Sequence, residues 1–317
     1  MSGKDIVLAF DTSNYTTSVA ILTSEGELLG NLKRPLTVKE GSRGLRQSDA
    51  VFLHTVNLPE LMKEAAPILS DGCIVAVGVS EKPRNQEGSY MPCFLAGVSA
   101  AQSVASALSV PLYRFSHQCG HIMAAVYSAG CFDVLNGEFM AFHISGGTTE
   151  LVRVTPREDA FFAEIIGGTK DLNAGQVIDR IGVKMGLPFP AGSHIERLAL
   201  ENTKKIPHRK ISRQGMWLNL SGLENMALKL LDETKDERLV CAFVLDYIGR
   251  ALCEISEEMT KQYGEHKLVC AGGVMCNSII KKMISERFDA RFAVPSMSAD
   301  NAVGIAALTK RAHFKIN

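Results

Sequence analysis

The chain has 317 residues, 46% of them hydrophobic and 21% charged, enough apolar material for a large core and two compact domains and too much for a disordered chain. Lysine plus arginine balances aspartate plus glutamate at 34 each, so no global charge excess argues for nucleic acid or membrane as a partner, and only a local basic patch is left open. The opening MSGKDIVLAFDTSN meets an acidic residue and a polar turn too soon for a signal peptide, and no apolar run approaches the roughly 20 residues of a bilayer span. A cytoplasmic protein with no membrane partner is therefore expected. The eight cysteines are scattered through apolar segments without a CxxC pair, as befits buried free thiols in a reducing compartment.

Taken in order, Ile6 to Phe10 reads as a strand, Asp11-Thr12-Ser13-Asn14 as a polar turn and Thr17 to Leu22 as the returning strand. Glu25-Gly26-Glu27 turns into a third strand, and Arg34 to Ser48 is a polar loop. From there apolar residues recur at helical spacing as far as Ile68, with Ser48 or Asp49 as the expected N-cap. A strand from Cys73 to Val79, the loop SEKPRNQEGSYMP, a helix from Phe94 to Leu108 and a short strand from Pro111 to Phe115 lead to His117-Gln118-Cys119-Gly120-His121 and an apolar helix through Val126.

The second half repeats this order. Its opening hairpin, MAFHISGGTTELV from Met140 to Val152, is followed by a strand from Phe161 to Ile166 and then Gly167-Gly168-Thr169. Helices are expected over Asn173 to Met185, Gly192 to Leu200, Ser221 to Leu231 and Glu237 to Tyr263, with a solvated loop from Thr203 to Arg213. A strand from Lys267 to Cys270, the Ala271-Gly272-Gly273-Val274 turn, a helix from Asn277, a strand from Arg291 to Val294 and a helix from Ala302 to Ala312 close the chain. Hairpin strands followed by αβ units, twice over, predict a duplicated α/β fold. The domains are drawn as 1–137 and 138–317, with the last helix able to pack back on the first.

In the Ser145-Gly146-Gly147-Thr148 turn, successive backbone N–H groups can form a nest for phosphate, to which the hydroxyls of Ser145, Thr148 and Thr149 add donors; the alternative is an ordinary tight hairpin. Two polar hairpins, each opening one half, point to a nucleotide held between related lobes. His117 and His121 sit four apart, so on a helix both rings leave one face roughly 6 Å apart at Cβ, within reach of one ion. Asp300 is the candidate third ligand, and its alternative role is a helix N-cap. Two imidazoles and a carboxylate leave coordination positions open, which suits zinc or ferrous iron. Gly272 and Gly273 precede a helix opened by Asn277, an arrangement that admits a ribose or an anionic group. Asp179 could accept from ribose hydroxyls or pair with Arg180 or another surface neighbour. Cys119 has no orienting partner in sequence, and neither GxSxG nor HExxH occurs.

These residues fall in a familiar order. FDTSNYTTSVAIL, HQCGH, SGGTTEL, NAGQVIDR, LPFPAG, LSGL, AGGVMCN and ADNA stand where the TsaD/Gcp family has its ETS turn, HxxGH, SGGHTxL, AGEAFDK, LxYPGG, FSGLK, AGGVxAN and TDNG. The chain thus resembles, over nearly its full length, the tRNA threonylcarbamoyladenosine transferases formerly labelled glycoproteases. That resemblance implies an actin/sugar kinase/Hsp70-type, ribonuclease H-like ATPase fold with two lobes around a nucleotide cleft. It implies His117, His121 and Asp300 as metal ligands, and His143, Ile144, Ser145, Gly146, Gly147, Asp179, Gly192 and Asn277 as contacts to ATP, ADP or an acyl-adenylate. Ser13, Gly272 and Gly273 join that nucleotide-binding set. Asp11, matching the family's earlier glutamate, is the candidate catalytic carboxylate.

The implied reaction is transfer of a threonylcarbamoyl or carbamoyl group from an adenylate to tRNA adenosine or a related acceptor. A smaller paralogous subunit or a second copy is the implied protein partner, and nothing supplies the nucleophile or general base of a peptidase. Departures cluster at the reactive end: Tyr15-Thr16 replaces an acidic pair, SEKPRNQEGSYMP a GPG loop, Thr148 a histidine and Gly175-Gln176 a GE pair. They point to a divergent paralogue, and leave a non-catalytic nucleotide-binding subunit as the alternative.

Overall fold

A computed structural model describes residues 4–13, 15–37, 45–157, 160–298 and 300–315. Asn14 of the first polar turn, residues 38–44 of the loop after the third strand, and Ala299 lie outside the described residues. In chain order the elements are β1 (Lys4–Asp11), β2 (Thr16–Thr23), β3 (Leu28–Pro35), α1 (Gln47–Leu69), β4 (Gly72–Lys82), α2 (Phe94–Leu108), β5 (Leu112–Ser116) and α3 (His117–Ala129). They continue with β6 (Phe139–Ile144), β7 (Thr149–Pro156), β8 (Phe161–Thr169), α4 (Ala174–Lys184), α5 (Gly192–Leu200), β9 (Arg213–Gln214), β10 (Trp217–Leu218), α6 (Ser221–Thr234) and α7 (Glu237–Tyr263). Last come β11 (Leu268–Ala271), α8 (Ser278–Ser285), β12 (Ala290–Phe292), the single-turn α9 (Pro295–Ser298) and α10 (Val303–Phe314). No described helix is long and apolar enough to cross a membrane.

The chain divides into two compact units, one of Met1–Gly137, Thr155–Ala163 and Ala299–Asn317, the other of Glu138–Val154 and Glu164–Ser298. The first sheet has strand order β3-β2-β1-β4-β5; within the second, β8-β7-β6-β11-β12 repeats that order, with β10 and β9 added beyond β8. In each, an antiparallel hairpin is followed by parallel strands joined through helices, so the repeat visible in the sequence is a repeat of topology.

In the first unit β1 is buried from Ile6 to Asp11, as a central strand covered on both faces requires. Its alternating Ile6, Leu8 and Phe10 meet Leu58 and Leu61 of α1 and Ala101 and Ala105 of α2. Helix α10 packs on β1, β2 and β4 and lies along α3. Small residues set that closeness. A Cβ on Gly304 would lie 1.8 Å from the Gly120 carbonyl oxygen, and one on Gly78 of β4 would lie 1.9 Å from Thr309 Oγ1. In the second unit Met140, Phe142 and Ile144 of β6 share a core with Val177 and Ile181 of α4, Ile195 of α5 and Val240, Val244 and Leu252 of α7.

Several local expectations are corrected. Helix α1 starts at Gln47 with Arg46 at the cap position and no side-chain cap bond, so neither Ser48 nor Asp49 caps it; Asp49 instead places its charge in the first turn, where the helix dipole favours it. Gly167-Gly168-Thr169 continues β8 instead of ending it. Gly168, at φ +148°, runs so near β7 that a Cβ would lie 2.3 Å from Thr149 O. The turn at Gly273–Cys276 is a 3-10 turn, with Asn277 capping α8. Strands β9 and β10 and helix α9 span too few residues to show a period in sequence.

Asp171, between β8 and α4, holds the start of α6. Its carboxylate accepts from the backbone N–H groups of Leu172, Leu220 and Ser221 at 2.6, 2.7 and 3.0 Å. Burial would raise its pKa, but these bonds and the Ser221 hydroxyl outweigh it and hold the carboxyl below the usual carboxylate range.

Two outcomes follow from this packing. Gly304→Ala lowers stability by about 1–3 kcal/mol in thermal or urea unfolding, because backbone faces backbone at the contact, whereas Gly222→Ala, in open space, stays within about 0.5 kcal/mol. Since the folded pKa of Asp171 is depressed, its contribution is present above the unfolded value of about 3.9 and is lost as pH falls below it; unfolding midpoints of Asp171→Asn therefore vary less than wild type between roughly pH 5 and 2.

Candidate metal centre and nucleotide turns

The first unit brings Asp11, Ser13, His117, His121 and Asp300 together. β5 runs into α3 through Ser116, whose hydroxyl accepts from Cys119 N–H at 3.2 Å and caps the helix. His117 is thus the first helical residue and His121 lies one turn on, with ring centroids 4.3 Å apart. The Gly120–Gly304 approach draws in the segment leading to α10, and Asp300 Oδ1 lies 3.1 Å from His121 Nε2 and 3.6 Å from His117 Nε2. One ligand atom from each of the three lies within 4.8 Å of the others. Asp300 does not cap α10: Ala302 occupies the cap position, and Asn301 Oδ1 accepts from Val303 N–H at 3.0 Å.

Behind this trio, at the C-terminal end of β1, sits Asp11. It is fully buried, its Oδ2 is 2.7 Å from His117 Nδ1, and its Oδ1 accepts from Ser13 N–H at 2.8 Å. A proton on Nδ1 directed at Asp11 leaves Nε2 as the nitrogen facing His121 and Asp300, the arrangement in which a carboxylate orients a ligating imidazole. Asp11 therefore reaches the site through His117. Burial would lower the pKa of His117, but Asp11 first and Asp300 after it outweigh burial and raise it to about 10. Burial likewise opposes ionisation of Asp11 and Asp300, yet His117, with Ser13 at Asp11 and His121 at Asp300, holds both carboxyls below the ordinary range. Two imidazoles and a carboxylate that converge in this way are a donor set that fits zinc or ferrous iron, an ion taking the place of any proton on His117 Nε2. Cys119, between the histidines, is buried with its thiol pKa pushed up by desolvation, so it offers no nucleophile.

The second unit gathers the glycine turns at the C-terminal end of β6. Ser145 N–H donates to Thr148 O at 2.8 Å, closing the hairpin, while Gly146 and Gly147 are exposed. His143 and Ile144, just before the turn, are buried and pair in register with Glu150 and Thr149 of β7. Two other segments press on the turn. A Cβ on Gly175 would lie 2.6 Å from Ser145 O, and one on Gly272, at φ +98°, would lie 2.2 Å from Ile144 O. Thr149 Oγ1 accepts from Ala174 N–H at 2.9 Å and fixes the start of α4 there. Gly273 opens the 3-10 turn, in open space.

Asn277, Asp179 and Gly192 are placed differently from the sequence picture. Asn277 Oδ1 accepts from Ile279 and Ile280 N–H, both at 3.1 Å, and Glu196 Oε1 accepts from Ser278 N–H at 2.7 Å. The leading donors of α8 are thus taken within the chain, and this helix end is not an open anion site. Asp179 Oδ1 accepts from Ala191 N–H at 2.8 Å and so pins the start of α5 at Gly192; Arg180 pairs with Glu224 at 3.0 Å instead. Burial raises the Asp179 carboxyl pKa against that one hydrogen bond.

Residues that sequence reasoning passed over are Asp171 and Glu196, which bind backbone N–H groups, and the pair Gly120 and Gly304; Thr149, expected to add a hydroxyl donor at the turn, accepts from Ala174 N–H. The signal for the pair was present: Gly120 stands inside the histidine motif, and Gly304 opens a helix of small residues, Val303 to Ala307.

A family model described as TsaD, tRNA N6-adenosine threonylcarbamoyltransferase, matches residues 48–307. The chain is similar to the tRNA N6-adenosine threonylcarbamoyltransferase of Streptococcus equi subsp. equi, with 31% identity over 316 residues covering 95% of this chain and 89% of that one. Among solved structures it is similar to HypF of T. kodakarensis, with a TM-score of 0.65 and 13% identity over 99% of this chain; the chain spans about half of HypF, 48% of its length. It is also similar to the activator of the 2-hydroxyisocaproyl-CoA dehydratase from Clostridium difficile, with a TM-score of 0.54 and 13% identity over 99% of this chain and 98% of that one. Those structural likenesses show the fold, the α/β architecture of the actin, sugar kinase and Hsp70 ATPase class. With most of its length matched and its motifs in register, the chain belongs to the TsaD family of tRNA N6-adenosine threonylcarbamoyltransferases.

Proposed function

We propose that the chain transfers a threonylcarbamoyl or carbamoyl group from an adenylate to tRNA adenosine, using one divalent ion, zinc or iron, held by His117, His121 and Asp300. The observation that carries this reading is the convergence of those three ligand atoms within 4.8 Å, with the remaining ring nitrogen of His117 engaged by buried Asp11. A bound ion of this kind supplies Lewis-acid polarisation of a carbonyl or phosphoryl oxygen. The protein's own part is orientation. Asp11 fixes the tautomer and ring plane of His117, Phe94 meets the same ring edge-on at 6.2 Å, and Ser13 N–H holds Asp11 in turn. Asp11 is accordingly a positioning residue in this proposal.

For the nucleotide, ATP, ADP or the adenylate, we propose the second unit's exposed Ser145-Gly146-Gly147 turn with the adjoining Gly272-Gly273 segment. Their backbone comes close to whatever lies above because side chains are absent there. Ile144 and His143 support the turn from below. Asp179 and Gly192 shape the entry to α5, and one Asp179 oxygen is left for a ribose hydroxyl. Asn277 contributes through its amide, since its carbonyl oxygen is spent on α8. A smaller paralogous subunit or a second copy is the proposed protein partner, and the cytoplasm the proposed location.

A second reading is favoured by one observation: Tyr15-Thr16 stands where the family has an acidic pair, and Tyr15 is 45% exposed and carries no carboxylate. In it the chain binds nucleotide and metal as a partner subunit without transferring anything.

Metal analysis of the purified protein is expected to give about one zinc or iron per chain, with His121→Ala losing it and Asp11→Asn retaining the fold but binding the ion roughly 10–100-fold more weakly. Expression in cells lacking the housekeeping transferase, followed by nucleoside mass spectrometry, is expected to restore threonylcarbamoyladenosine in tRNA. A well-expressed, metal-loaded protein that binds nucleotide and yields no modified nucleoside establishes the second reading instead.

A further inference from the structure

The first unit contains a cavity of about 350 Å³ toward the C-terminal ends of α3 and α10, away from His117 and Asp300. Its walls are mostly apolar, formed by Leu22, Met123, Phe132, Leu135 and Ala307. Tyr127 also lines it, with its hydroxyl donated to Gly26 O at 2.9 Å, so that ring presents its apolar face and edge.

Set into this apolar wall is Arg311, only 9% exposed, whose Nε and Nη1 are buried without a hydrogen-bond partner among the described residues. Arginine keeps its charge in proteins and carries five N–H donors, so this guanidinium is a mostly buried cation whose Nε and Nη1 donors are left unmatched. The other two charged side chains on the lining are Lys310 and Glu25, which leaves the cavity with a net charge of one positive unit. An apolar chamber of this size with one buried guanidinium is built for a ligand that brings hydrocarbon and a single negative charge.

We propose that this cavity is a binding site for a small hydrophobic monocarboxylate, its carboxylate on Arg311 and its aliphatic or aromatic body against Met123, Phe132 and Leu135. A doubly charged phosphate fits less well, because Glu25 faces the same space and the walls offer it little hydration. The site is independent of the proposed transfer reaction, and its test does not use that activity.

The test is ligand-observed NMR and calorimetry on the full chain with octanoate and 3-phenylpropionate as probes, and octan-1-ol and inorganic phosphate as comparisons. Saturable binding of at least one carboxylate is expected, weakened at least about tenfold in Arg311→Met and at least about tenfold weaker for the alcohol and for phosphate. Arg311→Met exchanges a buried charge for an apolar chain of similar length, so it is expected to fold, with an unfolding temperature at or above wild type. Should it fail to fold, Phe132→Ala takes its place, because Phe132 is 48% exposed and its removal is expected to weaken the carboxylate at least about threefold. Absence of saturable carboxylate binding up to about 10 mM, equal affinity in the variant, or equal binding of octanol or phosphate overturns the proposal.

Discussion

The contact between Gly120 and Gly304 is the constraint on which the candidate metal centre depends. Two helices whose backbones meet without intervening side chains approach more closely than side-chain-mediated packing allows. That approach brings Asp300, at the entry to α10, onto the face of α3 that carries both histidines. Gly78 lets the same helix sit down on β4 further along, so the position of Asp300 is tied to the sheet as well as to α3. The centre is therefore a product of packing between small residues, and its ligands are distributed accordingly: two on one helix, one on a connector, and the carboxylate behind them on a strand.

Much of this was legible in the sequence because it rests on periodicities and short motifs. The two polar hairpins, the 3.6-residue pattern of α1 and α7 and the four-residue histidine spacing each leave a local trace. The third ligand was legible only through a motif far along the chain, since no spacing rule links position 300 to position 121. What stayed hidden was of another kind. Asp171 and Glu196 act by accepting from backbone N–H groups of segments distant in sequence, as Thr149 does at the start of β7 in place of donating, and an acidic or hydroxyl side chain looks the same in sequence whether or not such a donor will arrive. The role of Asp11 was hidden for the same reason, because its partner lies 106 residues away.

From sequence, Asn277 and Asp300 are both polar residues at the start of an apolar helix and both read as ligand contacts, with a capping role set beside that reading only for Asp300. In the fold they divide the two roles. Asn277 spends its oxygen on the first turn of α8, whereas Asn301 performs that service for α10 and leaves Asp300 to face the histidines. At α10 it is therefore the polar residue just before Asn301 that has its side chain turned to the histidines.

His121 and Asp300 are separated by 179 residues, and the whole of the second unit is threaded between them. During synthesis the ribosome must finish that intervening body before the ligand set can close, however early the first sheet has condensed. Under the proposed function, an ion held by His117, His121 and Asp300 would report on the late arrival of α10, because a chain able to hold it has already brought its closing helix home.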